Sequence, residues 1–571
     1  MRALARRRAQ RGRTSVALAA LAVALVVCGC GEPTVPSGNG DTAEVDTAQA
    51  DAVSPDTLAP DTLPADTLPG DTVVGDTQDA GTTETDWDTA FGHVFAEDTV
   101  RPLRLDFEPG DWASMLADWR KQRLRTYREV ALQFGDDHLA SVGVRFRGYG
   151  ALTDVENQEL PAKFPLKINF DKYAGPRYHG VDKVNLATNR GDLSLMRDRL
   201  TARLLGLIGV VAPRMSYGKL TIDGTYVGLY TMAQQVDKRF LKERFGTEND
   251  ADDGNLYKCI PGGDTGNICD LTWRGATKAS YLVTQCPDGY ATCGLVLKTN
   301  EDDPKHNDYT DLIAFIGLLN ETKADVLEKT LLDAFDVDSF LRFMAVNAAL
   351  RNQDSMAYGK PNNYYLYHRP DTGRWTLLPY DFDMSYGGPN FASVVTSPVP
   401  GVADFANCML AKRVMAVPAF HATFLVYVKE VADTWMAETK HAAWVAEFDA
   451  LLRPNIAVDP GYKLASYDVA VGKTSQGLLG FVAARRAFLL HQPPPVTPCK
   501  LGVISGADAC ATGMYCKTDG CTPATVGVCT VIPGGCEAVG GAVCGCDGKT
   551  YATACAASIA GVNLLSVGTC L

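Results

Sequence analysis

Only the middle of this 571-residue chain has the composition of a large folded domain. Residues 31 to 90 contain fourteen Asp or Glu and no Lys or Arg, and the pair Asp-Thr recurs at 56, 61, 66, 71 and 76. A segment with so few apolar groups and one sign of charge cannot bury enough surface to offset its chain entropy. We therefore predict a disordered acidic tether over 30–90 and a hydrophobic core only beyond it.

The first 29 residues are typical of a lipoprotein signal peptide. Six arginines precede an apolar run over residues 16 to 27, which is too short for a membrane span of about 20 residues. Gly29 then precedes Cys30, the residue that a bacterial lipid anchor would modify. The sequence thus predicts an exported protein of the bacterial cell envelope, lipid-anchored through Cys30 on the periplasmic or surface face of the outer membrane. A plain secreted protein is the alternative.

The charge of the remaining chain argues against one class of partner. Subtracting the fourteen tether acids from 67 and the six signal arginines from 54 leaves 53 acidic and 48 basic residues. Proteins that bind nucleic acid through their bulk charge are strongly basic. No nucleic-acid partner is therefore expected.

Cysteine usage marks a separate C-terminal region. Ten of the seventeen cysteines lie in residues 499–571, after a proline-rich linker over 491–498. An even number of cysteines in a short exported segment predicts a disulfide framework. Four further cysteines, Cys259, Cys269, Cys286 and Cys293, predict two bridges within an insertion, with a zinc site as the alternative. Cys408 has no obvious partner.

The central residues, 95–490, show strand patterns first and helical patterns later. Period-two alternation predicts strands over 103–107, 130–134, 142–147, 166–170, 219–222 and 226–232, and helical spacing predicts early helices over 111–120 and 192–209. Later helices are predicted over 310–320, 338–350, 417–438, 443–452 and 476–490. We expect an α+β fold with a strand-rich N-terminal lobe and a helical C-terminal lobe.

A polar hairpin in the second half is the strongest candidate for a functional site. Asp354 closes an apolar segment, and Asn362 and Asn363 open an aromatic strand. A turn at 371–373 leads to a second strand, after which come Asp381 and Asp383. An acid that orients a hydroxyl, together with an amide and an acid that hold Mg²⁺, is the grouping that phosphoryl transfer requires. The alternative is an ordinary polar hairpin in which the amides cap a turn.

Several segments match a known family in the family's order. They are VGVRFRG at 142–148, KFPLKINF at 163–170, DLSLMRDRL at 192–200, DGTYVGLY at 223–230, GNLYK at 254–258, NNYYLY at 362–367 and PYDFD at 379–383. With these segments the chain resembles the spore-coat-protein-H (CotH-like) atypical protein kinases over about residues 100–490. The resemblance implies a two-lobed kinase-like domain that uses ATP and Mg²⁺ or Mn²⁺ to phosphorylate Ser or Thr of surface or secreted proteins.

The resemblance also implies roles for individual residues. Asp354 matches the acid that orients the acceptor hydroxyl, and Asp381 matches the metal-binding acid. Asn363, or its neighbour Asn362, is the implied amide ligand, with Asp383 as a further metal candidate. The implied ATP-binding residues are Lys163, Lys167, Gly148 and Gln234.

One position departs from the family pattern. Gln234 stands where the family commonly has a glutamate, so its side chain keeps hydrogen-bonding capacity but lacks the charge. A catalytically inactive scaffold that binds partners through the same fold is therefore the second hypothesis.

The end of the chain has a resemblance of its own. Residues 529–570, with VCGCDGKTYATAC at 543–555, look like a Kazal-type domain. The cysteines of this part are Cys529, Cys536, Cys544, Cys546, Cys555 and Cys570. The resemblance implies a protease or another protein as partner of the tail, and protease inhibition is the third hypothesis.

Overall fold

A computed structural model describes most of the chain after residue 86. The described residues are 87–148, 150–173, 175–261, 268–284, 286, 290–388, 395–474, 476–491, 498–503, 510, 514–518, 520–523, 525–531 and 541–570. They all belong to one compact unit, Thr67–Leu571, and the other unit, Met1–Asp66, lies outside them. The signal peptide, Cys30 and nearly all of the tether also lie outside the described residues, so those expectations stay predictions.

The first seven strands close a barrel in the order β1-β2-β3-β4-β5-β7-β6. Strands β1 and β6 pair in parallel and the other neighbours pair antiparallel. The strands are β1 Val100–Phe107, β2 Arg128–Phe134, β3 Asp137–Phe146, β4 Leu166–Asn169, β5 Lys183–Ala187, β6 Met215–Ile222 and β7 Thr225–Gln234. The helices of this part are α1 Trp87–Val94, α2 Asp111–Gln122, α3 Gly150–Val155, α4 Arg197–Leu207 and α5 Lys238–Phe245.

Alternation along the strands separates the barrel interior from a polar outer stripe. Val144, Ile168 and Val184 are register partners on β3, β4 and β5, and all three are fully buried in the barrel core. One residue along, Lys167 and Asn185 pair on the opposite face but are also buried. The outer stripe is therefore covered by other parts of the protein, since side chains of adjacent strand residues point to opposite faces.

A second sheet has the order β12-β11-β8-β10-β9, and all its neighbours pair antiparallel. Its strands are β8 Leu256–Ile260, β9 Leu282–Val283, β10 Cys293–Leu297, β11 Tyr364–His368 and β12 Trp375–Pro379. Disulfides join Cys259 to Cys269 and Cys286 to Cys293, which confirms the two bridges expected in this insertion.

Helices dominate the chain after β10. They are α6 Thr310–Glu321, α7 Leu327–Ala334, α8 Val337–Ala349, α9 Met409–Met415, α10 Pro418–Glu430, α11 Glu438–Ile456, α12 Leu464–Val471 and α13 Leu478–Leu490. Their apolar faces share one buried cluster with the second sheet, and a separate buried cluster fills the barrel. The expected α+β class is confirmed.

The predicted helix over 192–209 begins five residues late, because Asp192 stabilises a different local structure. The buried carboxylate of Asp192 accepts hydrogen bonds from the backbone N–H groups of Ser194 (2.9 Å) and Arg197 (3.0 Å). Leu195 has a left-handed φ of 57°. Residues 192–196 therefore form a turn that precedes α4, and the acid caps this turn instead of starting a helix.

The cysteine-rich region contains two small three-stranded sheets. The elements are β13 Pro498–Lys500, β14 Met514–Lys517, β15 Val526–Val531, β16 Val543–Gly545, β17 Thr550–Tyr551, α14 Ala554–Ile559 and β18 Leu564–Val567. The disulfides are Cys499–Cys516, Cys510–Cys529, Cys521–Cys546 and Cys544–Cys570. Cys555 is also disulfide-bonded, and Cys536 lies outside the described residues. The expected disulfide framework is confirmed.

Two bridges connect the Kazal-like part to the residues before it. Cys529 and Cys546, both counted within 529–570, pair with Cys510 and Cys521. The two small sheets are thus covalently joined across the predicted boundary. In the described part of the chain Cys408 is the free cysteine, and it is buried.

The described helices were also compared with the length and hydropathy of membrane spans. No single helix among them is long and apolar enough to cross a bilayer, although Met409–Met415 and Pro418–Trp435, bent by 98°, meet the criterion together.

Candidate functional site

The β11–β12 hairpin brings an amide and an acid to the same end. Tyr364 pairs with Pro379, so Asn363 just before β11 and Asp381 just after β12 are neighbours, and the Tyr380 N–H donates to the Asn363 carbonyl at 3.1 Å. Asn363 and Asp381 both adopt a left-handed backbone, with φ of 60° and 65°. Asn and Asp tolerate this conformation better than most residues, and such strained positions concentrate at functional sites.

Asp354 lies beside the two amides. Its carboxylate accepts hydrogen bonds from Nδ2 of Asn362 at 3.1 Å and from Nδ2 of Asn363 at 3.0 Å. Lys360, a half-exposed residue that sequence reasoning missed, places its Nζ 3.4 Å from the same carboxylate. Three donors thus fix the orientation of Asp354 while leaving the residue partly open to solvent.

The carboxylates that follow β12 are close enough to repel one another. Asp381 is exposed, yet reduced hydration raises its pKa, as does the charge of Asp354, while Arg147 and Lys258 oppose the rise. We refer to these four residues, together with Asp198 and Asp383, as the crevice. Burial and the charges of Asp381, then Asp198, raise the pKa of Asp383 well above its usual range. A group of acids that resist ionisation together is a favourable place for a cation.

Helix α4 supplies a third acid that sequence reasoning did not single out. Burial, followed by the charge of Asp381, raises the pKa of Asp198 to about 7. Asp198 Oδ1 accepts a hydrogen bond from the Phe382 N–H at 2.7 Å, and Arg197 donates to the Asp383 carbonyl at 3.1 Å. Helix α4 therefore anchors the segment from Asp381 to Asp383. Both residues belong to the DLSLMRDRL segment, which was the available signal.

Arg147 and Lys258 form the basic side of the crevice. Lys258 on β8 lies over the rings of Tyr365 (5.3 Å) and Tyr380 (4.6 Å). Burial, then the charge of Arg147, lowers the pKa of Lys258 to about 7, and Asp381 opposes this. Arg147 and Lys258 lie in VGVRFRG and GNLYK, two of the segments that carry the family resemblance. Nothing in the spacing of those segments indicated that the two cations lie near Asp381.

The two predicted lysines have different surroundings. Lys163 places its Nζ over the rings of Tyr230 (5.3 Å) and Tyr462 (4.5 Å). Burial lowers its pKa to about 8, and the charge of Asp459 opposes the shift. Lys167 lies on the outer stripe of the barrel as the register partner of Arg145 and Asn185.

The outer stripe contacts the hairpin. Asn185 donates to Gln235 at 3.1 Å, and Gln235 donates to the hydroxyl of Tyr365 at 3.2 Å. Lys167 is the register partner of Asn185 in this stripe, whereas Lys163 contacts Tyr230 and Tyr462. The phosphate-binding role of each lysine stays a prediction.

The remaining two predicted ATP-binding residues occupy supporting positions. Gly148 follows Arg147 with φ of 68°, and its carbonyl accepts a hydrogen bond from the buried Arg125 guanidinium at 3.0 Å. Gln234 bonds to the Arg214 N–H at 3.1 Å and to the carboxylate of Glu243. The described contacts of Gln234 are thus with the end of the barrel and α5, and its role at ATP stays a prediction.

A comparison with protein families identifies the family of this chain. A family model described as "CotH kinase protein" matches residues 144–489. The chain belongs to this family. The matched region of the CotH family runs from β3 to the end of α13 and includes Asp198, Lys258, Asp354 and Asp381.

Two curated members show how far the CotH relationship extends. Inner spore coat protein H of Bacillus subtilis is 25% identical over 215 residues, which cover 38% of this chain and 53% of that protein. Invasin CotH2 of Rhizopus delemar is 25% identical over 221 residues, or 38% of this chain and 33% of the invasin. The match thus spans about half or less of the length of these relatives.

Proposed function

We propose that this CotH-family protein is an atypical protein kinase that transfers a phosphoryl group from ATP to Ser or Thr of surface or secreted proteins. The observation that carries the proposal is the environment of Asp381, which lies in the electrostatic field of Asp354 on one side and of Arg147 and Lys258 on the other. In this proposal an orienting acid, a cation site and a phosphate-binding pair of cations would be combined in one crevice.

The residues present suit a divalent cation such as Mg²⁺ or Mn²⁺. Asn362 Oδ1 is buried and has no hydrogen-bond partner among the described residues, an arrangement that usually costs about 1–3 kcal/mol. Carboxylate and amide oxygens are the ligands that these hard cations prefer. Asp381 and Asp383 would hold the cation, with Asn362 or Asn363 as the amide ligand. When bound, the cation would neutralise charge on the ATP phosphates.

The other charged residues then have distinct roles in the transfer. Asp354, held by two amides, would accept a hydrogen bond from the Ser or Thr hydroxyl and direct its oxygen toward the γ-phosphorus. Arg147 and Lys258 would face the phosphate oxygens, where positive charge stabilises the negative charge of the transition state. A bound phosphate would also return Lys258 to its protonated form, since an anion nearby raises a lowered lysine pKa.

The proposal includes a two-lobed arrangement and a location. The barrel would form one lobe and the helices with the second sheet the other, in keeping with their separate buried clusters. Disulfides throughout the described regions favour an oxidising compartment, and the relatives are named as a spore coat protein and an invasin. We therefore favour an exported protein of the bacterial envelope, lipid-anchored at Cys30, with the Kazal-like tail free to bind another protein.

Phosphoryl transfer to a Ser-rich acceptor protein tests the proposal. The full chain is incubated with γ-labelled ATP and Mg²⁺ or Mn²⁺, and Asp381→Asn is compared with Asp371→Asn. Asp371 lies in the turn at the opposite end of the same hairpin, so its substitution is a matched control. We expect transfer by wild type and Asp371→Asn and a loss of at least about 10³-fold in Asp381→Asn. Equal incorporation by all three chains would contradict the proposal.

A further inference from the structure

Two histidines and an aspartate converge at one end of the barrel. The ligating atoms of His93, Asp137 and His179 all lie within 4.8 Å of one another. His93 is in the last turn of α1, Asp137 is the first residue of β3, and His179 lies in the tight turn between Tyr178 and Val181. Because three separate elements contribute, the cluster is a product of the tertiary fold and not of one local motif.

The spacing of these groups suits a tetrahedral metal. His93 Nε2 lies 3.3 Å from Asp137 Oδ2, and two ligands of a tetrahedral zinc ion with bonds of 2.0–2.1 Å are roughly 3.3 Å apart. The imidazole of His179 is next to that of His93, with ring centroids 3.8 Å apart. Two imidazoles and one carboxylate are a common protein ligand set for Zn²⁺ that leaves a fourth position open.

A tyrosine orients the carboxylate from outside the ligand set. The hydroxyl of Tyr178 donates to Asp137 Oδ2 at 2.6 Å and lies 3.1 Å from His93 Nε2. Such hydrogen bonds to the ligands are typical of metal sites and affect metal affinity.

A tight turn presents the imidazole of His179. His179 and Gly180 have φ of 49° and 74° and form a two-residue hairpin turn. Asn, Asp and His are the non-glycine residues that adopt this conformation most often. The turn thus places the ring of His179 next to that of His93.

One neighbouring charge opposes cation binding. Arg101 donates to the His93 carbonyl at 2.9 Å, so a positive charge lies close to the cluster. A weakly held oxygen-seeking cation such as Mg²⁺ would gain little at this place. A transition metal with strong affinity for imidazole is the better fit.

We propose that His93, Asp137 and His179 bind a divalent transition metal of the zinc class. The bound metal would fasten the last turn of α1 to the β2–β3 turn and to the 178–181 hairpin. Helix α1 begins at Trp87, so the last four residues of the segment predicted as a tether, 87–90, are helical. The metal would secure the chain at the point where its described folded part begins.

Zinc titration of the full chain with its disulfides intact tests this proposal. Competition with a zinc chromophore is measured in excess Mg²⁺, so that the acidic crevice is already filled. His179→Asn removes the imidazole but keeps a residue that suits the positive φ. His138→Asn is the matched control, because this exposed histidine is adjacent to Asp137 on β3.

We expect wild type and His138→Asn to bind one more zinc equivalent than His179→Asn. The removal of Tyr178's hydroxyl by Tyr178→Phe should weaken this zinc about tenfold. Zinc should also raise the melting temperature of wild type but not of His179→Asn. Equal zinc binding by wild type and His179→Asn would overturn the proposal, and so would an equal loss in His138→Asn. Neither readout depends on phosphoryl transfer.

Discussion

The acidic and basic sides of the crevice have pKa values that are shifted in opposite directions. On the acidic side, Asp198 and Asp383 resist losing their protons because of burial and the charge of Asp381. On the basic side, Lys258 resists keeping its proton because of burial and the charge of Arg147. Each side therefore lacks the counter-charge that it would need to ionise fully at neutral pH.

A ligand that carries both charges would satisfy both sides. A magnesium nucleotide brings a cation to the acids and phosphates to the cations. Under the proposed function the crevice would thus be arranged for such a ligand before binding, as preorganised sites are. Substitutions on the two sides should therefore have different effects.

The largest expected effect is on the acidic side. Asp381→Asn should reduce metal-dependent phosphoryl transfer by at least about 10³-fold, since it removes charge at the proposed cation site. The same change should leave the ligand-free protein as stable as wild type or more stable, because it relieves repulsion with Asp198 and Asp383. Transfer assays and chemical denaturation measure the two effects. A parallel loss of activity and stability would mean that Asp381 is structural.

On the basic side, the expected loss is in nucleotide affinity. Lys258→Met keeps most of the apolar stem over Tyr365 and Tyr380 but removes the ammonium group. The KM for ATP should rise about tenfold or more, while metal affinity without nucleotide stays unchanged. Lys298→Met, which alters a cation that only influences Lys258 from a distance, is the control. A KM that does not change in Lys258→Met would remove the lysine from the phosphate site.

The two sides also predict opposite pH dependences of stability. For Asp198, whose folded pKa of about 7 is above its ordinary value of 3.8, stability is lost as pH rises between these values. For Lys258, whose folded pKa is near 7 against an ordinary 10.5, stability is gained as pH rises between 7 and 10.5. The free energy of unfolding without ligand should therefore show a minimum near pH 7 from these two groups.

Difference measurements isolate the two contributions. Asp198→Asn should remove a decrease on the order of 2 kcal/mol between pH 4 and 7, and Lys258→Met should remove the increase above pH 7. Urea denaturation at several pH values measures both. Identical pH profiles for wild type and the two variants would show that these groups titrate normally in the folded protein.

The smallest expected effect is at Lys360. Its contact with Asp354 is a half-exposed ion pair at 3.4 Å, and pairs of this kind contribute about 0–1 kcal/mol to stability. Lys360→Met should change stability by no more than that and reduce kcat only a fewfold, because the two amides still hold Asp354. A loss as large as that of Asp381→Asn would assign Lys360 a direct part in the reaction.

The sequence predicted the hairpin part of the site because the hairpin is local. Asp354, Asn363 and Asp381 lie within 28 residues, and strand alternation with the turn at 371–373 is enough to bring the last two to one end. Arg147, Asp198 and Lys258 were missed as partners, since each reaches the crevice through contacts with residues more than a hundred positions away. Such contacts depend on how the barrel packs, and no local pattern records that.

Local sequence patterns predicted the fold to a similar extent as the candidate site. The strands and amphipathic helices have clear periodicity, so most were expected near their observed bounds. The closure of the barrel was not expected, because it depends on the parallel pairing of β1 with β6. The late start of α4 was not expected either, because it depends on the buried carboxylate of Asp192. The sequence also left open which of Lys163 and Lys167 binds phosphate, and both stay predictions.

The coupling between metal and nucleotide tests the central claim most directly. Isothermal titration calorimetry would measure ATP binding to the full chain with and without Mg²⁺, for wild type, Asp381→Asn and Asp371→Asn. The account predicts that Mg²⁺ increases the affinity of wild type and Asp371→Asn for ATP at least tenfold and leaves Asp381→Asn unchanged. If Mg²⁺ strengthens ATP binding equally in all three chains, Asp381 does not hold the cation, and the proposed metal–nucleotide site is contradicted.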